Sequence, residues 1–216
     1  MEGYIDIHTH QPRTSGLSVM NRYEGFELAV DGITCSLGVH PWYIQADAHG
    51  IQLASLRQYA ALPNVVAIGE CGLDKATDTD WQLQVRVFAV QIEMANKLNK
   101  PLIVHCVRAY EEVLNMLRDN RVAVPVVFHG YNKNVQLAER LINAGYYLSF
   151  GAALLKEGSH VASVIQSVPI DKFFLETDDT QVDIADIYNA AASLLKTEPD
   201  TLILQLQNNF HRVFNI

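Results

Sequence analysis

Val65-Val66-Ala67-Ile68-Gly69-Glu70 is a short apolar run, rich in β-branched residues, that ends on a carboxylate, and the chain repeats that construction. Pro101–His105 (PLIVH) and Val124–His129 (VPVVFH) end on histidines, and Phe173–Asp178 (FFLETD) ends on an acid. Together with Tyr4–His8, Ile33–Val39 and Tyr146–Phe150, the apolar parts of these runs (Val65–Gly69, Leu102–His105, Val124–His129, Phe173–Glu176) read as strands of a parallel sheet.

Amphipathic stretches lie between them. In Trp81–Leu98, Tyr110–Asp119 and Val135–Ala144 apolar residues return at three and four positions, and Gly145 is placed to cap the third. From His40 to Glu70, His105, His129 and on to Asp178 the spacing suits about one βα unit of roughly thirty residues per step. That alternation predicts an α/β fold, either a barrel or a doubly wound sheet. Gln11–Gly32 breaks the pattern, because it shows no amphipathic helix. A short irregular strand is expected near Leu17–Tyr23. One or two outer helices are expected to be missing in the first third, leaving apolar surface that another subunit could cover.

At 216 residues, 49% hydrophobic and 19% charged, the composition is that of a globular chain, and one domain spanning 1–216 is expected. The formal charge of −8 gives no diffuse attraction to nucleic acid or an anionic membrane, so a polyanionic substrate needs local cations. Bound metal ions supply such cations. Cys35, Cys71 and Cys106 form no CxxC pair and read as buried, reduced packing residues. No run of about 18 apolar residues occurs, and MEGYIDIHTH has no basic segment leading an apolar one, so a cytoplasmic protein without a membrane partner is expected.

His8 and His10 are two apart on a strand, so both side chains leave the same face, and Asp6 shares it. Histidines so spaced also occur as satisfied core or surface residues. Here Glu70, His105, His129 and Asp178 each sit where a later strand emerges into its loop. Burying these groups unpartnered costs several kcal/mol each, whereas a divalent cation offsets that cost. The mixed nitrogen and oxygen donors suit Zn, Mn, Fe, Co or Ni, and Mg is compatible with phosphoester chemistry. In a parallel barrel the C-terminal strand ends form the active-site face.

These motifs resemble those of the TatD-type deoxyribonucleases, metal-dependent TIM-barrel hydrolases of the amidohydrolase superfamily. Asp6-Ile7-His8-Thr9-His10 is similar to the family's D-x-H-x-H, Gly38-Val39-His40-Pro41 to its GxHP, and Ala67–Asp74 (AIGECGLD) to its Glu-ligand strand. Ile103–His105, Val126–His129, Tyr147–Gly151 and Leu175–Asp178 follow in the family's order. Asn209–Phe214 resembles its closing N-x-x-R-x-F, read as helix packing. The resemblance implies a TIM-type (β/α) barrel holding one or two divalent ions. His8, His10, Glu70 and Asp178 would hold one ion, and Glu70, His105 and His129 a second, with Glu70 shared. It implies phosphodiester hydrolysis, with Asp178 orienting or deprotonating the attacking water, and His40 and Arg108 as candidate phosphate-binding residues. Trp42 and Tyr43 either stack on a nucleobase or pack a loop. His49, His160 and His211 read as surface or packing residues.

The substrate loops differ from the family pattern. Arg108 stands one position later than the family's arginine, Gly130-Tyr131-Asn132 replaces a CFSG-like loop, and Asp179-Thr180 replaces Ala-Pro. DNA is therefore weighed against a small phosphoester, amide or lactone as substrate. A metal-stabilised binding protein without turnover is the reading from another class. The expected assembly is a monomer or a small homo-oligomer.

Overall fold

The computed structural model describes residues 3–11 and 16–215. Among them, eight parallel strands follow one another in a single sheet in chain order. They are β1 (Ile5–Thr9), β2 (Leu17–Arg22), β3 (Cys35–Leu37), β4 (Val65–Asp74), β5 (Leu102–Val107), β6 (Val126–Phe128), β7 (Tyr147–Phe150) and β8 (Phe173–Leu175). Helices α1 (His49–Tyr59), α2 (Trp81–Leu98), α3 (Tyr110–Asp119), α4 (Val135–Asn143), α5 (Val161–Ser167), α6 (Ile184–Leu195) and α7 (Pro199–Phe214) lie between and after them. A parallel bridge joins Thr9 to Asp178, so the first strand pairs with the chain leaving the last. This is the strand order of a TIM-type (β/α) barrel. No helix among the described residues is long and apolar enough to cross a membrane.

The first third lacks α-helices between β1 and β3 among the described residues, as its pattern predicts; residues 12–15 lie outside them. A 3-10 helix, Phe26–Asp31, follows β2 instead. It buries Phe26 and Ala29 but leaves Leu28 and Val30, with Ile33 just beyond, exposed. The expected irregular strand is β2, whose register against β1 shifts between Asp6 and Thr9.

The chain's contacts divide into two units, one of residues up to Met20 and from Val127 onward, the other Asn21–Val126. In the second unit α2 packs on β4. Asp80 starts that helix by accepting from Leu83 N at 2.8 Å, and Asn99 ends it in the left-handed region. Leu83, Val87, Phe88 and Ile92 form its buried stripe, whose burial contributes roughly 6–12 kcal/mol before chain entropy is set against it. Two glutamines seven residues apart, Gln84 and Gln91, share that stripe. Gln91 accepts from Val39 N at 2.7 Å and donates to Val39 O at 3.1 Å. Gln84 accepts from Asp74 N at 2.9 Å and donates to Asp74 O at 3.0 Å. Each side chain thus replaces a missing ladder partner where a strand ends. Replacing Gln91 with Leu strands both Val39 backbone groups and is expected to cost about 3 kcal/mol, roughly a 10 °C fall in the thermal midpoint followed by circular dichroism.

β4 is longer than its apolar run predicts. It continues through Cys71-Gly72-Leu73-Asp74, and Gly72 pairs with His105 of β5. Glu70 therefore lies inside a strand rather than at its end, which corrects the sequence expectation. Gly72 (φ 149°) permits the extension, because a Cβ there would stand 2.0 Å from His105 O. Gly38, just past β3, allows a similar close approach, since a Cβ there would meet Glu70 O at 2.5 Å.

In the first unit, Tyr188 of α6 holds β1, accepting from Ile5 N at 3.1 Å and donating to Ile5 O at 3.0 Å. Asn209 of α7 donates to Ile170 O at 2.9 Å and Phe173 O at 3.1 Å, and Arg212 donates to Asp171 O. Phe214 packs edge-on against Phe174. The closing Asn-x-x-Arg-x-Phe motif is helix packing that fixes the entry to β8. After α4, Gly145 (φ 91°) donates to Ile142 O at 2.9 Å, the capping role its position predicts. Cys35, Cys71 and Cys106 are all buried.

Candidate metal centre

In the first unit, His8 on β1 is fully buried, and His10 just beyond the strand is partly exposed. Asp178 sits three residues past β8 in the left-handed region, at φ 54°. The chain grips it from both sides: Asp178 N donates to His8 O at 2.9 Å, and His10 N donates to Asp178 O at 3.0 Å. Asp178 Oδ1 then faces His8 Nε2 at 3.5 Å and His10 Nε2 at 3.4 Å. One ligand atom from each of the three lies within 4.8 Å of the others. The His129 ring lies 4.5 Å from that of His8, and its Nδ1 is 3.6 Å from Glu176 Oε1. His129, Glu176 and Asp178 form a second group of the same tightness.

Asp6 does not join these groups. Its carboxylate accepts from Thr177 N at 3.1 Å, from Thr177 Oγ1 at 2.6 Å and from His8 N at 3.4 Å. It braces the backbone beside His8 and Asp178. Burial pushes its pKa up to about 6, against the pull of the Thr177 hydrogen bonds.

In the second unit, Glu70 collects the donors. Its Oε1 stands 2.7 Å from His105 Nδ1 and 3.1 Å from His40 Nε2, and its Oε2 accepts from Asn21 Nδ2 at 3.2 Å. Asn21 also accepts from Glu70 N at 3.0 Å. His40, Glu70 and His105 offer ligand atoms within 4.8 Å of one another. His40 Nδ1 accepts from Trp42 N at 3.1 Å, so its proton is on Nε2 and faces Glu70. That sets the His40 Nε2–H against the Glu70 carboxylate. Arg108, on the loop after β5, is exposed at φ 54° and makes no ion pair among the described residues.

Asp74 is the residue that sequence reasoning missed, although it closes the AIGECGLD motif. Its Oδ2 lies 3.1 Å from His105 Nε2 and accepts from Trp42 Nε1 at 2.6 Å, while Oδ1 accepts from Ala76 N at 2.7 Å. Burial raises its pKa, but the hydrogen bonds from Trp42, Ala76 and His105 outweigh it and hold the carboxyl below the ordinary aspartate value. A ligand role for His105 Nδ1 leaves Nε2–H to donate to Asp74, an arrangement that fixes tautomer and ring orientation. Asp74→Asn is expected to weaken divalent-metal affinity about 10- to 100-fold in competition with a chelating dye, with the fold intact. Trp42 is thereby tied to Asp74 while half-exposed, and Tyr43 stacks on Tyr23 at 4.5 Å.

The side chains fit a divalent cation. Imidazole nitrogens and carboxylate oxygens stand at spacings one ion spans, and buried Glu176 Oε2 has no hydrogen-bond partner among the described residues. His49 and His160 bond backbone carbonyls and His211 is exposed, all outside these groups.

Comparison with known proteins bears on the chemistry these groups serve. A protein related to the "Uncharacterized metal-dependent hydrolase" of Buchnera aphidicola would be expected to keep such donors, and this chain is 30% identical to it over 200 residues, covering 85% of this chain and 75% of that protein. The Escherichia coli K12 hydrolase YcfH is 29% identical over 202 residues, covering 86% and 75%. The crystal structure of YjjV, a TatD homolog from the same organism, superposes with a TM-score of 0.84 at 24% identity, over 99% of this chain and 98% of that one, which establishes the shared fold. The model described as "TatD related DNase" matches residues 14–215. This chain is therefore a metal-dependent hydrolase that belongs to the TatD-related DNase family.

Proposed function

We propose that the chain hydrolyses phosphodiester bonds of DNA, using one or two divalent ions held by His8, His10 and Asp178, with His129, in one unit and by Glu70 and His105 in the other. The observation that carries this reading is the meeting of His8, His10 and Asp178 within 4.8 Å in a chain whose family is that of DNases. When bound, a divalent ion supplies Lewis acidity that acidifies water and draws charge from a phosphoryl oxygen.

The residues divide the remaining work. Asp178, with its side chain 35% exposed, reaches both solvent and two histidines, and takes the proton of the attacking water. Asn21 and His40 donate to Glu70 and orient its carboxylate. Asp74 stands behind His105 and holds its ring, and Glu176 lies beside His129. Arg108 makes no ion pair among the described residues and is the residue proposed to meet a substrate phosphate.

A panel offering DNA, p-nitrophenyl phosphate esters, an aryl amide and a lactone to the metal-loaded protein tests this reading. DNA and phosphodiester turnover, with amide and lactone untouched, is expected. Turnover confined to the lactone or amide reassigns the substrate and keeps the centre. No turnover of any kind favours a binding protein.

A further inference from the structure

We propose that a cavity between the β6–α4 and β7–α5 loops binds a backbone phosphate of the substrate strand away from the bond being cleaved, an inference that rests on the DNA reading above. The cavity measures about 530 Å³ and is lined by Asn132, Lys133, Lys156, Glu157, Ser159 and His160, among others. It belongs to the unit that carries His8, His10, His129 and Asp178. Its two loops leave the C-terminal ends of β6 and β7, and His129 begins the first of them.

Charge selects the ligand. Lys133 is half-buried and Lys156 exposed, and neither makes an ion pair among the described residues. A lysine not engaged in an ion pair is available to an arriving anion. With Glu157 counted, the lining carries one net positive charge, which matches the single negative charge of one phosphodiester. In a chain of net charge −8, local cations of this kind are what a polyanion requires.

The lining is also held in place. His160 Nε2 lies 2.8 Å from Asn132 O, tying one loop to the other. Ser159 Oγ accepts from Val161 N at 3.3 Å, which leaves its hydroxyl proton to donate to a phosphate oxygen. Two ammonium groups and a hydroxyl suit the oxygens of a phosphodiester and offer nothing to read a base, so the subsite is indifferent to sequence.

The test is fluorescence anisotropy of a labelled oligothymidylate with phosphorothioate linkages, which resist hydrolysis, bound to the full purified chain between 50 and 250 mM NaCl. The Lys133→Gln/Lys156→Gln variant is expected to bind roughly tenfold more weakly at low salt, the loss of a charge-assisted contact. Its plot of log affinity against log salt is expected to flatten by about 0.7, the increment for one neutralised single-strand phosphate. Lys97→Gln, which removes a lysine paired with Glu93 elsewhere, is the control and should keep the wild-type slope. Unchanged slope in the double variant, with its thermal midpoint also unchanged, overturns the proposal, as does a wild type that shows no binding. If inorganic phosphate raises the melting temperature of the wild type alone while the oligonucleotide slopes agree, the cavity holds a free anion and the strand assignment is overturned. Because binding is read without hydrolysis, failure of DNA cleavage would strike the proposed function and leave this result standing.

Discussion

Glu70→Gln is expected to lower the hydrolytic rate by about a thousandfold or more, while the thermal midpoint moves by only a few degrees. The substitution preserves shape and removes one negative charge from a buried cluster. In the native chain Oε1 meets His105 Nδ1 at 2.7 Å and the Nε2–H of His40 at 3.1 Å. Oε2 meets the amide of Asn21 at 3.2 Å. A glutamine amide nitrogen turned to either side faces a donor, so at least one contact becomes repulsive as the metal loses a charged ligand. Metal content by atomic emission should fall alongside the rate. A variant that keeps both within a factor of ten would remove Glu70 from the centre.

The second large effect is expected of Asp178→Asn, a loss of about 10³- to 10⁴-fold in kcat with the fold retained. Asparagine tolerates the left-handed backbone at this position, φ 54°, so the hydrogen bonds to His8 O and from His10 N survive. The charge that Oδ1 presents to the Nε2 atoms of His8 and His10 does not survive, and neither does the capacity to take a proton. A kcat close to wild type with raised metal requirement would make Asp178 a ligand alone.

What could be read from the sequence follows from how each feature is built. Trp81–Leu98 and Tyr110–Asp119 form helices over the spans that their periodicity predicts, because each has one long apolar stripe. β4 escaped at its C-terminal half because Gly72 and Asp74 read as loop residues, whereas the structure uses the glycine for close approach and the aspartate for bonding. Helix α1 buries only Leu56, so periodicity gives it little signal.

The same contrast holds in the site. His8, His10, Glu70, His105, His129 and Asp178 are legible because each follows or ends a strand-like run. Asn21, Asp74, Gln84 and Gln91 act on partners ten to 52 residues away through hydrogen bonds that leave no local pattern. One signal was available: two glutamines in the apolar stripe of a helix are buried amides that need partners, and the nearest backbone lacking them is a strand end. His40 was legible as a member of GxHP, but its contact with Glu70 was not, since only the Trp42 N–H contact fixes its proton on the side of Glu70.

Metal dependence of DNA cleavage decides the reading. End-labelled single- and double-stranded DNA is offered to chelator-stripped protein with Mg, Mn or Zn restored one at a time. Cleavage that is absent without metal, returns with at least one of the three, and disappears in both Glu70→Gln and Asp178→Asn is the expected result. Cleavage that persists in excess chelator, or that both variants perform at the wild-type rate, would show that these residues and their metal do not cut the strand.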